Sequence, residues 1–146
     1  MAACGYIRAL RAAVGHRLLL LPSVAAIIHD AEGRLLLQQK AGAEGWSLPA
    51  GGIEPGESPL AALHREVLEE TGRAVRSATL ADVLGGAEYR HVYPNGDRVE
   101  YTIVLFRCTL ADGPAQKPGP ETKALRWFAR PEMPPLALPY PAALLF

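Results

Sequence analysis

The chain has 146 residues, of which 49% are hydrophobic and 21% charged, and its formal net charge at pH 7 is zero. This length and composition predict one globular domain with a substantial core and exclude a disordered chain. A neutral chain has no general attraction for nucleic acid or for an anionic membrane, so an anionic substrate must be attracted locally. The two cysteines, Cys4 and Cys108, are too few for a disulfide framework, which favours a reduced, cytoplasmic setting.

The N-terminal part of the chain predicts a helix followed by a strand. Four apolar residues recur there at helical spacing: Tyr6, Ile7, Leu10 and Val14. We expect an amphipathic helix within residues 1–16 that either packs on the domain or contacts a second copy in a homodimer. The apolar run 18–28 is interrupted by Pro22 and is too short to cross a bilayer, so we expect neither a targeting segment nor a membrane partner.

Two strand-like segments come next. Residues 23–29 and 34–40 are separated by the turn 30–33, and together they predict a hairpin or two near neighbours in one sheet. Lys40 ends the second segment and is a candidate for substrate contact, while the plainer interpretation is a solvated strand end.

Residues 46–73 predict a short strand, a glycine-rich loop and a helix. Ser58 is a suitable N-cap, Pro59 fits the first helical position and Gly72 fits a C-terminal stop. A rotation of about 100° per residue places three apolar side chains on one buried stripe: Leu60, Leu63 and Val67.

The same helix carries three glutamates on a second face: Glu66, Glu69 and Glu70. Glu66 and Glu70 are one turn apart, and like charges at that spacing normally reduce helix stability. A bound cation would compensate for this repulsion, and oxygen ligands favour Mg²⁺ or Mn²⁺ over zinc. The alternative is a solvated acidic face, which charge alone leaves open.

The spacing of these residues favours the metal site. Eight positions fit the pattern G-x5-E-x7-R-E-U-x-E-E-x-G-U, in which U is bulky and apolar: Gly51, Glu57, Arg65, Glu66, Val67, Glu69, Glu70 and Gly72. This pattern resembles the Nudix box, the signature of hydrolases that act on a nucleoside diphosphate linked to another group. Arg73 occupies the final apolar position, and Ala50 replaces the first glycine of the usual Pro-Gly-Gly. We therefore expect Ala50 without a positive φ and Arg73 directed to solvent, with Val75 anchoring the chain after the helix.

The resemblance implies an α/β Nudix fold, in which a mixed, curved β-sheet is sandwiched between α-helices. It also implies metal-dependent hydrolysis of a phosphoanhydride bond in a nucleoside triphosphate, an ADP-sugar or a similar nucleotide. Mg²⁺ is the implied cofactor, with Mn²⁺ as its substitute. The alternative is a catalytically silent ligand-sensing or interaction module, but such modules typically lack a box glutamate, and here all are present.

Roles for individual residues also follow from the resemblance. The implied metal ligands are Glu66, Glu69, Glu70 and the carbonyl of Gly51, and Glu66 also counts as catalytic. Arg65 is expected to orient the site by pairing with a glutamate such as Glu57. The box is expected to be supported structurally by Glu57, Gly52 and Gly72.

Further elements are predicted after the box: a strand over 74–84, a hairpin over 88–106 around Asn95-Gly96, a central strand over 104–108, a final strand over 125–128 and a proline-rich tail over 131–146. No repeat or linker interrupts the sequence, so we expect a single domain over residues 1–146.

Glu121 follows the Gly/Pro-rich loop 111–120. The resemblance implies a metal ligand or the general base at this place, and the plainer interpretation is a solvent-exposed side chain. Because the loop has no apolar anchor, we expect it to make few contacts. Tyr89 is a candidate for stacking on a base, although tyrosines on strands usually pack in the core or across strands. The neutral charge and the lack of a basic run favour a small-molecule nucleotide over a nucleic acid polymer.

Overall fold

A computed structural model describes residues 5–43 and 45–146, so Cys4 and the first part of the predicted N-terminal segment 1–16 lie outside the described residues. Within the described ranges the chain forms three α-helices: α1 (Gly5–Val14), α2 (Pro59–Thr71) and α3 (Ala142–Leu145). The same ranges contain seven strands: β1 (Leu19–Ile28), β2 (Leu35–Lys40), β3 (Ala50–Gly52), β4 (Val75–Leu84), β5 (Arg90–Val92), β6 (Arg98–Leu110) and β7 (Thr122–Phe128).

The larger sheet has the order β3-β1-β6-β4, and β5 also pairs with β6. β1 and β6 run parallel over ten residue pairs, from Leu19 opposite Val99 to Ile28 opposite Cys108. The other pairings in this sheet are antiparallel. The sheet is therefore mixed, and β6 is the central strand that the sequence predicts. The hairpin predicted around Asn95-Gly96 is confirmed, because β5 pairs with the start of β6 across that turn.

The prediction that the two first strands share a sheet is wrong. β2 pairs with β7 in a separate two-stranded sheet, and only an isolated bridge between His29 and Leu35 joins it to the end of β1 within the described residues. The predicted turn is present, and Arg34 Nε lies 2.6 Å from Asp30 Oδ2. β6 pairs along the whole of one edge of β1 and β3 pairs with Ser23 to Ala25 on the other, while β2 satisfies its backbone groups by pairing with β7.

β1 supplies alternate residues to two hydrophobic cores, as expected for a strand that is buried on both faces. Ala25 and Ile27 join one core, and Val24, Ala26 and Ile28 join the other. The second core lies under α2, which contributes three side chains: Ala62, Leu63 and Val67.

The predicted apolar stripe of α2 is only partly right. Leu60 is 47% exposed, and Ala62 is buried in its place. The buried face of α2 also includes Glu66 and Glu70, which are 8% and 4% exposed. The helix is therefore turned so that two of its carboxylates, rather than Leu60, face the protein.

α1 ends at Val14, and the four apolar residues that predicted it, Tyr6, Ile7, Leu10 and Val14, all lie within the helix. The C-terminal segment 131–146 contains no long helix, as its prolines predict, but it anchors Tyr140 and Leu145 in the first core. Across the part of the chain that the structure describes, no helix combines the length and the apolar character needed to cross a membrane.

Candidate active site

The predicted caps of α2 are present and fix the helix that carries the carboxylates. Ser58 Oγ accepts a hydrogen bond of 3.0 Å from the Ala61 amide, and Pro59 occupies the first turn. Gly72 ends the helix in the left-handed conformation, with φ of 74°. Ala50 lies in β3 and, like the other described non-glycine residues, has no positive φ, which confirms the expectation for this departure from the pattern.

Arg65 joins the glycine-rich loop to α2, as the sequence predicts. Its guanidinium donates to both carboxylate oxygens of Glu57, at 2.7 and 2.8 Å, and to the Gly52 carbonyl at 3.0 Å. A third nitrogen donates to Glu66 Oε1 at 2.7 Å. The hydrogen bond from Arg65 is the main cause of a lowered pKa at Glu57. This two-pronged contact fixes the loop against the helix more firmly than an exposed ion pair can.

Glu70 is the most enclosed carboxylate of the site. It accepts hydrogen bonds from the Gln38 side chain and, at 3.3 Å, from the Ala50 amide, and Lys40 Nζ lies 3.6 Å from its Oε1. Burial raises the pKa of Glu70, and the neighbouring Glu66 carboxyl raises it further, while Lys40 opposes the shift. Two carboxyl groups thus share one buried place, where removal from water disfavours the ionised form.

Gly51 lies directly beside these carboxylates. A Cβ added at this position would overlap the carboxylate of Glu66, so only glycine leaves the space that this side chain occupies. The glycine of the box is therefore required here for close approach rather than for an unusual backbone conformation.

Glu69 does not converge with its two neighbours. Its side chain is 58% exposed, and Arg65 Nη1 lies 3.6 Å from its Oε2. Within residues 5–43 and 45–146, no group of three or more His, Cys, Asp or Glu side chains is arranged to hold a metal ion. Arg65 explains this, because its guanidinium lies against oxygens of both Glu66 and Glu69.

The residues present nevertheless fit a divalent cation of the Mg²⁺ type. Glu66 and Glu70 are adjacent and buried, they offer only hard oxygen ligands, and the lack of a side chain at Gly51 leaves room for the Glu66 carboxylate. A cation between them would oppose both the burial and the repulsion by Glu66 that together raise the pKa of Glu70.

Lys40 is not the solvated strand end of the plainer interpretation. Its ammonium group donates to the Ala50 carbonyl at 2.9 Å, and the side chain is 17% exposed. The structure thus brings Lys40 to the site, where it also lines a cavity of about 160 Å³.

The substrate role considered for Tyr89 is not supported. Its side chain is 5% exposed within the first core, and its hydroxyl donates to the Pro139 carbonyl at 3.2 Å. Packing in the core explains this tyrosine. Two other tyrosines, Tyr93 and Tyr101, share a hydrogen bond between their hydroxyls and line both the small cavity and a larger cleft.

The loop that precedes Glu121 makes more contacts than expected. The backbone N–H of Gln116 donates to the Gly72 carbonyl, and the backbone N–H of Gly119 donates to the Glu69 carbonyl, each at 2.7 Å. Thr122 Oγ1 donates to the Glu70 carbonyl at 3.0 Å, just after Glu121. These donors satisfy carbonyl groups that the end of any α-helix leaves open. The prediction of a loop with few contacts is therefore wrong, because its anchors are backbone atoms rather than apolar side chains.

Arg73 also takes part in this junction. Its Nη1 donates to the Gly113 carbonyl at 2.8 Å, so the side chain is half-buried with a partner instead of pointing freely to solvent. Val75, 8% exposed, anchors the chain after the helix as expected.

A cleft of about 990 Å³ connects the carboxylates to α1. Glu121 is exposed and lines this cleft together with Arg65, Glu66 and Glu69. The structure therefore brings the predicted loop carboxylate to the same cleft as the box glutamates.

Gln38 is not among the site residues predicted from the sequence. This side chain is fully buried and donates to Glu70, and its Oε1 is the one buried side-chain oxygen or nitrogen in the described residues that has no hydrogen-bond partner. The sequence does contain a signal for a buried polar side chain, because Gln38 follows three apolar residues at a position in phase with the buried Leu36.

Comparison with known proteins places these features in a family context. A NUDIX domain model matches residues 19–144. The RNA pyrophosphohydrolase of Halorhodospira halophila is 45% identical over 51 residues, which make up 35% of this chain and 28% of that protein. A MutT-like protein of Streptomyces ambofaciens is 35% identical over 111 residues, 76% of this chain and 65% of that protein. The chain thus spans less than two thirds of the length of both curated relatives.

Among solved structures, an ADP-ribose pyrophosphatase from Streptococcus suis superposes with a TM-score of 0.67. It is 28% identical, and the match covers 86% of each chain.

Proposed function

We propose that this chain, which belongs to the NUDIX domain family, is a divalent-metal-dependent pyrophosphohydrolase that cleaves a phosphoanhydride bond in a small nucleotide. Its family membership and its mixed sheet confirm the resemblance and the fold expected from the sequence. The observation that carries the proposal is the pair of buried, adjacent carboxylates, Glu66 and Glu70, the first of which fills the space that a side chain at position 51 would take.

In this proposal Glu66 and Glu70 hold Mg²⁺ or Mn²⁺, Glu69 joins them as a third carboxylate ligand, and the Gly51 carbonyl completes the protein ligands. A bound divalent cation neutralises phosphate charge and lowers the pKa of water. Arg65 keeps Glu66 in place through its contacts to Glu57 and Gly52. The hydrogen bonds from Gln116 to Gly72 and from Gly119 to Glu69 hold the end of α2 in place.

Glu121 is the proposed general base. It lies in the same cleft as Glu66 and Glu69, at the end of a loop that is fixed to α2. A base accepts a proton from the water that attacks one phosphorus, while the bridging oxygen leaves that phosphorus with the bonding electrons and stays on the other. Such a group must come within about 3 Å of the water, directly or through one further water.

The substrate proposed is a small nucleotide, with Lys40 near its phosphate or base. RNA is the second candidate, and it is favoured by one observation, the similarity to an RNA pyrophosphohydrolase. The catalytically silent module is disfavoured because all box glutamates are present. A homodimer and a cytoplasmic setting stay predictions.

Hydrolysis of a nucleotide library with Mg²⁺ or Mn²⁺, followed by identification of the products, tests the activity. We expect metal-dependent release of a nucleoside monophosphate or diphosphate. Glu70→Gln should lower kcat by about 10²-fold or more, because one ligand of the cation is lost in a nearly isosteric change. Glu88→Gln, at an exposed glutamate before β5, is the matched control. Binding of nucleotides without hydrolysis under every metal condition would favour the silent module instead.

A further inference from the structure

The cleft beside the carboxylates continues far beyond the space that a diphosphate needs. Its carboxylate end contains Glu66, Glu69 and Glu121, and its other end is walled by α1 and the start of β1. Both ends belong to one continuous cavity of about 990 Å³.

The helix end of the cleft is apolar because α1 directs its hydrophobic stripe into it. Tyr6, Ile7 and Leu10 line the cleft, together with Leu20 and Val99 of the sheet. None of the described residues of α1 is buried, and Tyr6 is 54% exposed. An amphipathic helix normally places this stripe against a core, so a stripe that faces a cavity leaves apolar surface for a ligand to cover.

α1 is held in this position by a specific anchor. The guanidinium of Arg11 donates to the carbonyls of Gly15, Arg17 and Arg98 at 3.0, 2.6 and 2.7 Å. It also lies 3.6 Å from Asp97 Oδ2, and its side chain is 12% exposed. The wall of the cleft is therefore tied to the β5–β6 turn, and the cavity does not result from a loosely placed helix.

Among the described residues, the lining of the helix end offers no unengaged positive charge to an anionic group. The described lining of the whole cleft contains two basic residues, Arg11 and Arg65, and both already bind carbonyl or carboxylate oxygens. The same lining contains five acidic residues: Glu54, Glu66, Glu69, Asp97 and Glu121. A cation at Glu66 and Glu70 would neutralise only the carboxylate end. Asp97, the acidic residue at the helix end, is itself paired with Arg11 and His16. A polyphosphate or an RNA chain that entered the helix end would therefore lose hydration on the apolar wall without gaining a cationic partner from the described lining.

We propose that the helix end of the cleft binds an uncharged ring-bearing group on the far side of the diphosphate, so that α1 sets substrate specificity. This inference rests on the proposed function, because it extends the same site. It assigns the substrate class as a diphosphate between two uncharged organic groups, such as two nucleosides. Tyr6, Ile7 and Leu10 are the specificity-determining residues.

Diadenosine diphosphate and ATP are suitable probes, because they share an adenosine and differ in the group attached beyond the diphosphate. Water adds to one phosphorus and the bridging oxygen leaves, so the first probe yields two AMP. We expect kcat/KM to be about tenfold or more higher for diadenosine diphosphate than for ATP. We expect the same advantage over a 5′-triphosphorylated oligoribonucleotide. A preference for ATP or for the oligoribonucleotide would overturn the inference while leaving the pyrophosphohydrolase activity established.

Leu10→Asp places a charge on the apolar wall, and it should reduce the preference for diadenosine diphosphate over ATP by about tenfold, mainly through KM. Ala12→Asp is the matched control, because position 12 lies about 200° around the helix from position 10 and is exposed. Tyr6→Ala serves as a second variant that truncates an exposed side chain and spares the core. An unchanged preference in both Leu10→Asp and Tyr6→Ala would overturn the inference.

Two further measurements separate this inference from the proposed function. Calorimetric binding of diadenosine diphosphate, weakened in Leu10→Asp, supports the inference even if no hydrolysis occurs. Sedimentation of the wild type and of Leu10→Asp tests whether a second copy covers the wall. Dissociation of a wild-type dimer by Leu10→Asp would identify the wall as a subunit contact and overturn the inference.

Discussion

Gly51 and Glu66 share a space that admits only one side chain. The backbone of Gly51 has no positive φ, so alanine is conformationally allowed there, but its Cβ would overlap the Glu66 carboxylate. Gly51→Ala should therefore displace Glu66 without straining β3, and we expect kcat/KM to fall by about 10²-fold. Gly85→Ala is the control, since a Cβ there meets Thr102 Oγ1 at an ordinary 3.6 Å. Equal activity of the two variants would contradict the steric explanation.

Gln38 orients the Glu70 carboxylate from the buried side of the site. Its amide donates to the Glu70 carboxylate, and it is fully buried. Gln38→Leu should weaken Mn²⁺ binding by about tenfold, measured by calorimetry, because the carboxylate loses an orienting donor. Leucine also removes the unpaired buried oxygen, so we expect the melting temperature to be maintained. Gln39→Leu, one position along β2, should leave Mn²⁺ affinity unchanged, and an equal loss in both variants would exclude a specific role for Gln38.

Gly72 has two reasons to be glycine. Its φ is +74°, and a Cβ there would overlap the Gln116 carbonyl of the loop that ends at Glu121. Gly33 has a similar φ of +77° with open space around it, so Gly33→Ala isolates the backbone cost, about 1–2 kcal/mol. Gly72→Ala should lower the free energy of unfolding by more than Gly33→Ala, because the loop must also shift. Urea unfolding of both variants measures the difference. Equal decreases in the free energy of unfolding would show that the loop can shift at no cost in stability.

Cys108 should be inert in the folded protein. It is 4% exposed, and burial raises its pKa to about 12. Only the thiolate reacts with iodoacetamide, so a Cys4→Ser variant should resist alkylation at about pH 8 and react after denaturation. Rapid alkylation without denaturant, followed by mass spectrometry, would show that β6 opens locally.

Asp97 should support the anchor of α1 in a pH-dependent way. Its hydrogen bond with His16 is the main cause of a pKa held below the ordinary value of 3.8. Because the folded pKa is lowered, the stabilisation is present above that ordinary value and is lost as the pH falls through the folded pKa. Asp97→Asn should therefore destabilise the protein at about pH 5, and the difference from the wild type should shrink towards about pH 3.

Urea unfolding at the two pH values provides the test. The control is Asp112→Asn, whose side chain is 96% exposed. A difference that is independent of pH would mean that Asp97 acts through its shape rather than its charge.

Local signals in the sequence predicted much of the site. The caps at Ser58 and Gly72 and the pairing of Arg65 with Glu57 each depend on residues close in the chain. The inward turn of α2 was not predicted, because helical spacing fixes which residues share a face but not which face meets the sheet. Leu60 was therefore assigned to the buried stripe, whereas the face that meets the protein includes Glu66 and Glu70.

The contacts between segments that are distant in the chain could not be predicted from the sequence. The pairing of β2 with β7 joins Leu35 to Phe128, and nothing in either segment specifies the other. The junction between Gly72 and Gln116 involves backbone atoms, which every residue possesses. Such contacts follow from the whole fold and leave no pattern of residue types in the sequence.

The parallel pairing of β1 with β6 also sets the order in which the protein can form. Leu19 pairs with Val99 and Ile28 with Cys108, so β1 lacks one of its two neighbours until β6 has been synthesised. The core under α2 needs Phe106 and Cys108 as well, although α2 itself is made much earlier. During synthesis, the apolar side of α2 therefore has an incomplete core to pack on until β6 emerges from the ribosome.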